Sequence, residues 1–68
     1  MRDVTIREDG IRLGQFLKLA GVTDSGGGTK SWIAAGEVRV NGEVDTRRGR
    51  QLRRGDVVTV DGEQIRVV

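Results

Sequence analysis

Ten of the twelve basic residues in this chain are arginines, and five of them, Arg47, Arg48, Arg50, Arg53 and Arg54, fall inside the stretch DTRRGRQLRRGD at positions 45–56. A guanidinium is planar, keeps its proton at any ordinary pH and offers a fork of N–H donors that matches phosphate oxygens and base edges. An Arg-dominated cluster therefore points to nucleic acid more than a Lys-dominated one would. From Arg39 to Arg54 six arginines stand against Glu43 and Asp45, a charge of +4, while the rest of the chain has six basic and eight acidic residues, −2, together the net +2 of all 68 residues. Outside that segment the chain is mildly acidic, and the positive charge gathers in one stretch. The plain alternative is a solvated, salt-bridged loop.

Other chemistries find little support in the composition. The chain has no cysteine and no histidine, which removes disulfides, Cys-ligated zinc, the commonest general base and the commonest metal ligand. Ten carboxylates are present, but no pair has a context suggesting acid and base roles, so they read as surface charge. No enzyme activity, metal or cofactor is expected. The glycines Gly26, Gly27 and Gly28 raise a phosphate-loop reading, yet Thr29 stands directly before Lys30 where such a loop needs glycine, and no buried strand leads in. Arg54-Gly55-Asp56 spells an integrin-type tripeptide, which in a cysteine-free chain reads as a tight turn before a strand. The start MRDVTIREDGIRLG is charged throughout, unlike a signal peptide, and no apolar run approaches the roughly 20 residues of a membrane span. A cytosolic protein without membrane contact is the expectation.

The elements that must carry the arginines follow from periodicity. At this length the chain holds one small domain, residues 1–68, with a single modest core. VTIRE alternates weakly, with Val4 and Ile6 apolar, and predicts a short strand ended by Asp9-Gly10. In IRLGQFLKLAG, Leu13, Phe16, Leu17 and Ala20 recur at helical spacing and Gly21 supplies a stop, leaving Arg12 and Lys18 to face outward. TDSGGGTKSWIAAG predicts a second short helix with Asp24 or Ser25 as N-cap, Trp32 and Ile33 as apolar anchors and Gly36 as stop, joined to the first by a tight turn.

After Gly36 the period becomes two. EVRVNGEV turns Val38, Val40 and Val44 inward around Asn41-Gly42, a strong hairpin signal, and points Arg39 the other way. Arg54-Gly55 leads into a strand at Val57–Val60, and Asp61-Gly62 into another at Ile65–Val68. The expected fold is α+β, two short helices packed on a small antiparallel sheet. The arginines then occupy a long connection whose side chains need not serve the core.

The stretch from Ile11 to about Val58 resembles the small RNA-binding domain named after the fourth protein of the small ribosomal subunit, the alpha-L motif, and among its members the short stand-alone ones. The matching signs are Arg12-Leu13, Phe16-Leu17, Gly21, Ser25, Lys30, Ile33, Gly36 and the run Val38-Arg39-Val40-Asn41-Gly42, specific together and weak singly. The resemblance covers about two thirds of the chain.

What the resemblance implies is a non-enzymatic RNA-binding module, for rRNA, tRNA or a ribosome-associated RNA, with the ribosome or a ribosomal subunit as partner; structured RNA as the ligand and a monomer as the state are the further expectations. The implied face joins both helices to the loop after the hairpin, with Arg12 at the start of the first helix, Lys30 on the second, Arg39 on the first hairpin strand and Arg47, Arg48 and Arg50 in the loop; the outward Lys18 and the clustered Arg53 and Arg54 are expected to add to it. The family often has Asp at the position of Gly14, Arg or Lys at that of Gly26 and Ala at that of Thr29, so the second helix is less basic here and the arginine segment carries more of the surface. The competing reading is a protein-interaction adaptor whose arginine loop meets an acidic partner. With only Phe16 and Trp32 as aromatics, both read as core, a single-strand binder that stacks bases is disfavoured.

Overall fold

The computed structural model describes residues 1–22 and 31–68. In chain order the elements are β1 (Arg2–Val4), β2 (Gly10–Arg12), α1 (Leu13–Leu19), a second helix described over residues 31–34, β3 (Val38–Val40), β4 (Glu43–Val44), β5 (Gln51–Arg53), β6 (Val57–Val60) and β7 (Glu63–Val67). The fold is two helices on a mostly antiparallel sheet. Five strands lie in the order β1-β7-β6-β3-β4, and β2 pairs with β5 as a separate antiparallel ribbon.

Burial follows the two periods. Leu13, Phe16, Leu17 and Ala20 of the first helical segment are buried, as is Ile33 of the second. Against them the sheet turns Val38, Val40, Val58, Val60, Ile65 and Val67, and Ile6 from the segment after β1 and Leu52 of β5 close the core. Each fully buried aliphatic of this size contributes about 1.5–3 kcal/mol relative to exposure, which a chain this short needs in full. Trp32 packs against the core without being sealed in it.

Both helices stop as their glycines require. Gly21 at φ +71° donates its N–H to the Lys18 carbonyl at 3.0 Å while Val22 donates to Leu17 at 3.1 Å. Gly36 at φ +77° and Glu37 repeat this pair of bonds on Ile33 and Trp32 at 3.1 and 3.0 Å. This is the Schellman pattern, in which a left-handed residue satisfies carbonyls orphaned by the helix end. The Arg2 guanidinium adds a charged donor to the carbonyl of Ala20, a favourable place for a cation.

Four expectations need correction. The strand predicted in VTIRE ends at Val4, and Gly10, expected to terminate it, instead opens β2. The sheet is not wholly antiparallel, because β1 runs parallel to β7. Val44, expected inward, is half exposed: the two-residue turn at Asn41-Gly42 pairs Val40 with Glu43, which puts Val44 opposite Arg39 on the outer face. The last strand covers Glu63–Val67 rather than Ile65–Val68. The predicted N-caps Asp24 and Ser25, the turn between the helices, the three glycines and Lys30 lie outside the described residues.

Candidate nucleic-acid interface

The arginine segment is not the free loop that its composition predicts. Leu52 in its middle is completely buried, and Gln51–Arg53 forms β5 against β2 with Ile11 opposite Leu52. Side chains alternate across a strand, so Leu52 and Ile11 turn to the core while Gln51, Arg53 and Arg12 turn to the other face of the ribbon. Gly10 lies on that outward face, and the Gln51 side chain crosses it: a Cβ on Gly10 would fall 2.6 Å from Gln51 Nε2.

The segment also supplies what α1 lacks at its start. Arg12 is the N-cap, in extended conformation and with no side-chain capping bond. The first two N–H groups of the helix instead donate to the arginine segment, Leu13 to the Arg50 carbonyl at 2.8 Å and Gly14 to the Arg48 carbonyl at 3.0 Å. Residues 48–50 thereby cap α1 with main-chain oxygens. In this close approach the Arg48 side chain crosses the helix where a Cβ on Gly14 would meet Arg48 Cγ at 2.6 Å. The long stem is laid on backbone while the charged end stays in water, as arginine stems commonly do. Lys18 follows Gly14 by one helical turn and is exposed. The result is a basic strip of Arg53, Arg12, Arg48 and Lys18.

Asp45 organises the segment from beneath. It is the buried acidic residue among the described ones, and its backbone N–H donates to Val38 at 3.1 Å. Its Oδ1 accepts from the Arg47 backbone N–H at 2.9 Å and from Arg47 Nε at 3.2 Å. Its Oδ2 accepts from Arg47 Nη2 at 3.0 Å and Arg50 Nη1 at 2.7 Å. The Arg47 side-chain hydrogen bonds, helped by that from Arg50, hold the carboxyl well below the usual carboxylate range against an opposing push from burial. The same pairing raises the Arg47 guanidinium above its ordinary value. Although Arg47 is bonded through one edge of its fork, its side chain is 70% exposed, against 31% for Arg50.

The sequence-predicted residues thus divide. Arg12, Lys18, Arg48 and Arg53 share the strip and have no acidic partner within 4.0 Å among the described residues. Arg47 and Arg50 flank it, tied to Asp45. Arg54 is held at the ribbon's end, donating to the Ile6 carbonyl at 3.2 Å and pairing with Asp9 at 3.4 Å. Arg39 lies on the outer face of the five-stranded sheet in register with Thr59, opposite the core valines. It is not brought to the strip.

Two contributors escaped sequence reading. Gly14 stands out only as a departure from the family's usual Asp, and only the spacing of Asp45 two and five residues before Arg47 and Arg50 could have suggested a shared carboxylate. No cluster of three metal-ligating side chains occurs among the described residues, and no described helix is long and apolar enough to cross a membrane.

A fold of two helices on this mostly antiparallel sheet defines a known class. The S4 domain family model matches residues 4–68, and the chain belongs to that family. The particular relatives are small. Over 59 residues the chain is 52% identical to the probable ribosome maturation protein RlbA of Bacillus subtilis strain 168, covering 87% of this chain and 83% of that one. Over 58 residues it is 38% identical to the putative RNA-binding protein YbcJ of Escherichia coli K12, covering 85% and 83%. The solution structure of E. coli YbcJ, described as revealing an alpha-L motif involved in RNA binding, superimposes with a TM-score of 0.76 at 33% identity over all of this chain and 87% of that one. The ribosomal protein S4e of Thermoplasma acidophilum shares the fold, with a TM-score of 0.71 at 24% identity over 91% of this chain and 33% of that one.

Proposed function

We propose that this S4 domain is a non-enzymatic module that binds structured RNA, with rRNA of a ribosomal subunit or its precursor as the target, through the strip of Arg12, Lys18, Arg48 and Arg53. The observation that carries this reading is the capping of α1 by the carbonyls of Arg48 and Arg50, which draws basic residues distant in sequence onto one face. A ribosomal target is supported by the 52% identity to a protein named for ribosome maturation, and RNA as the ligand by the likeness to YbcJ. The outward edge of Arg47 flanks the proposed surface, and Lys30, outside the described residues, is proposed to extend it.

The mode of binding follows from what the strip contains. Phe16 is completely buried and Trp32 is partly buried against the core, so the described residues offer no row of aromatic platforms for stacked bases. Affinity then comes from guanidinium contacts to phosphate and 2′-hydroxyl, which follow the shape of a folded RNA. Binding to a hairpin or junction and to an unstructured strand of equal length and charge, compared at physiological salt, tests this. Tighter binding of the structured RNA is expected. Preference for the unstructured strand with quenching of Trp32 fluorescence would overturn it, and equal binding of heparin or an acidic protein would favour a protein adaptor. Crosslinking in cells followed by sequencing of the bound RNA identifies the target.

A further inference from the structure

We propose that Asp45 is the positioning residue of the RNA-binding strip, and that Gly14 is the gap it is built to fill: the buried carboxylate fixes the turn that lays Arg48 across α1. This rests on the RNA-binding reading above and says how the strip is held ready.

Asp45 sits among its basic neighbours as an apparent liability. A negative charge beneath a phosphate-binding surface should weaken binding, and Coulomb's law alone would have it removed. Its geometry gives the opposite sign. Four hydrogen bonds reach its two oxygens, three from Arg47 and one from Arg50, at 2.7–3.2 Å. The backbone between those arginines closes as a turn, Arg50 N–H to the Arg47 carbonyl at 3.1 Å, with Arg48 and Gly49 at its corner. From the same turn the carbonyls of Arg48 and Arg50 cap Gly14 and Leu13. Asp45 itself is anchored to β3 through Val38. A continuous chain of bonds therefore runs from the sheet, through the carboxylate, to the helix start.

Arg48 is the side chain this chain of bonds delivers. It contributes no bond to Asp45, and its stem occupies the place that a Cβ on residue 14 would need. Any residue other than glycine at position 14 collides with Arg48 at its Cγ. Ordering a long side chain before binding removes rotamer entropy that binding would otherwise lose, so a stem already laid on the helix favours association. Arg47 gains similarly, with one edge of its fork fixed by Asp45 and the rest exposed.

The test uses a fluorescent RNA hairpin and the intact chain. Asp45→Asn keeps the shape, removes a negative charge, and should nevertheless weaken hairpin binding by about tenfold or more, because charge-assisted bidentate bonds are replaced by weaker ones. Unchanged or tighter binding would overturn the proposal, since bulk electrostatics would then have won. Gly14→Ala supplies an independent readout for the case in which Asp45→Asn does not fold. It should weaken binding in the parent and have no further effect in an Arg48→Ala background, the coupling expected of residues in contact. Equal losses in both backgrounds, or no loss in either, would overturn it. Arg12→Ala/Arg53→Ala is measured alongside. If the parent does not bind the hairpin, or this variant binds as the parent does, the RNA-binding reading itself fails. If that variant loses binding while Asp45→Asn and Gly14→Ala do not, positioning alone fails.

Discussion

The strip over α1 and the outer face of the sheet both carry arginine, and they use it differently. On the outer face Arg66 is spent on Asp3 at 3.1 Å, and Arg39 stands among Val44, Thr59 and Gln64. On the strip Arg12, Arg48, Arg53 and Lys18 lie together with no acidic partner among the described residues. A count of charges cannot separate the two regions. What separates them is whether neighbouring carboxylates cancel each guanidinium, and whether the backbone brings the remaining ones onto one face.

The sharpest way to break the comparison is to empty the strip. Arg12→Ala/Arg48→Ala/Arg53→Ala should lower affinity for a structured RNA about 100-fold at physiological salt, taking about 1 kcal/mol per contact. The log-log salt slope should flatten by about 2 to 3, at 0.7–0.9 per phosphate contact. Fluorescence titrations at several salt concentrations check both. An unchanged slope would move the RNA surface elsewhere.

Stability on the other side of the molecule should be separable from binding. Asn41 and Gly42 turn the β3–β4 hairpin at φ +53° and +85°, and the Asn41 side chain ties that turn to the Val57 N–H at 3.0 Å and to Asp56 at 3.1 Å. Gly42→Val forces a β-branched residue into the left-handed region, at a cost of about 1–3 kcal/mol. Thermal melting should register that loss, while the salt slope of the folded fraction stays as in the parent. A variant that melts like the parent would contradict the turn.

Acid should remove the stabilisation that Asp45 supplies beneath the strip. Asp45 binds its proton more weakly in the folded state than in the unfolded chain, where a carboxylate titrates near pH 3.9. Between those two affinities the unfolded state holds more protons, so stability falls as pH falls. The contribution is complete above about pH 5 and lost progressively below about pH 4. The stability gap between the parent and Asp45→Asn, measured by urea unfolding, should be flat from about pH 5 to 8 and narrow below about pH 4. The smallest effect belongs to Arg39→Ala. A charge on the outer face of the sheet, screened by salt over a length of about 8 Å, should change RNA affinity by less than about twofold. A larger loss would mean that RNA wraps the sheet edge.

Much of the fold was legible because it rests on local rules. The period-3.6 stripe of Leu13, Phe16, Leu17 and Ala20, the stops at Gly21 and Gly36 and the Asn41-Gly42 hairpin all express steric or hydrophobic preferences within a few residues. The errors began where register was passed on. Val44 looked like a third inward valine until the two-residue turn set it opposite Arg39. The parallel pairing of β1 with β7, which joins the chain's two ends, had no local signal at all.

By itself the sequence determined which side chains could meet phosphate, that two helices and several short strands would form, and that a cysteine- and histidine-free chain would have to rely on its apolar core. Tertiary structure alone decided which arginines do what. Arg47, Arg48 and Arg50 are near-identical neighbours on paper, yet two are bound to Asp45 and the third crosses Gly14. The reason is physical: the unfilled N–H groups at the start of α1 and the space left by a missing Cβ exist only once the helix has formed and β5 has paired with β2. Partners separated by more than thirty residues are then selected by geometry, which no periodicity in the chain records.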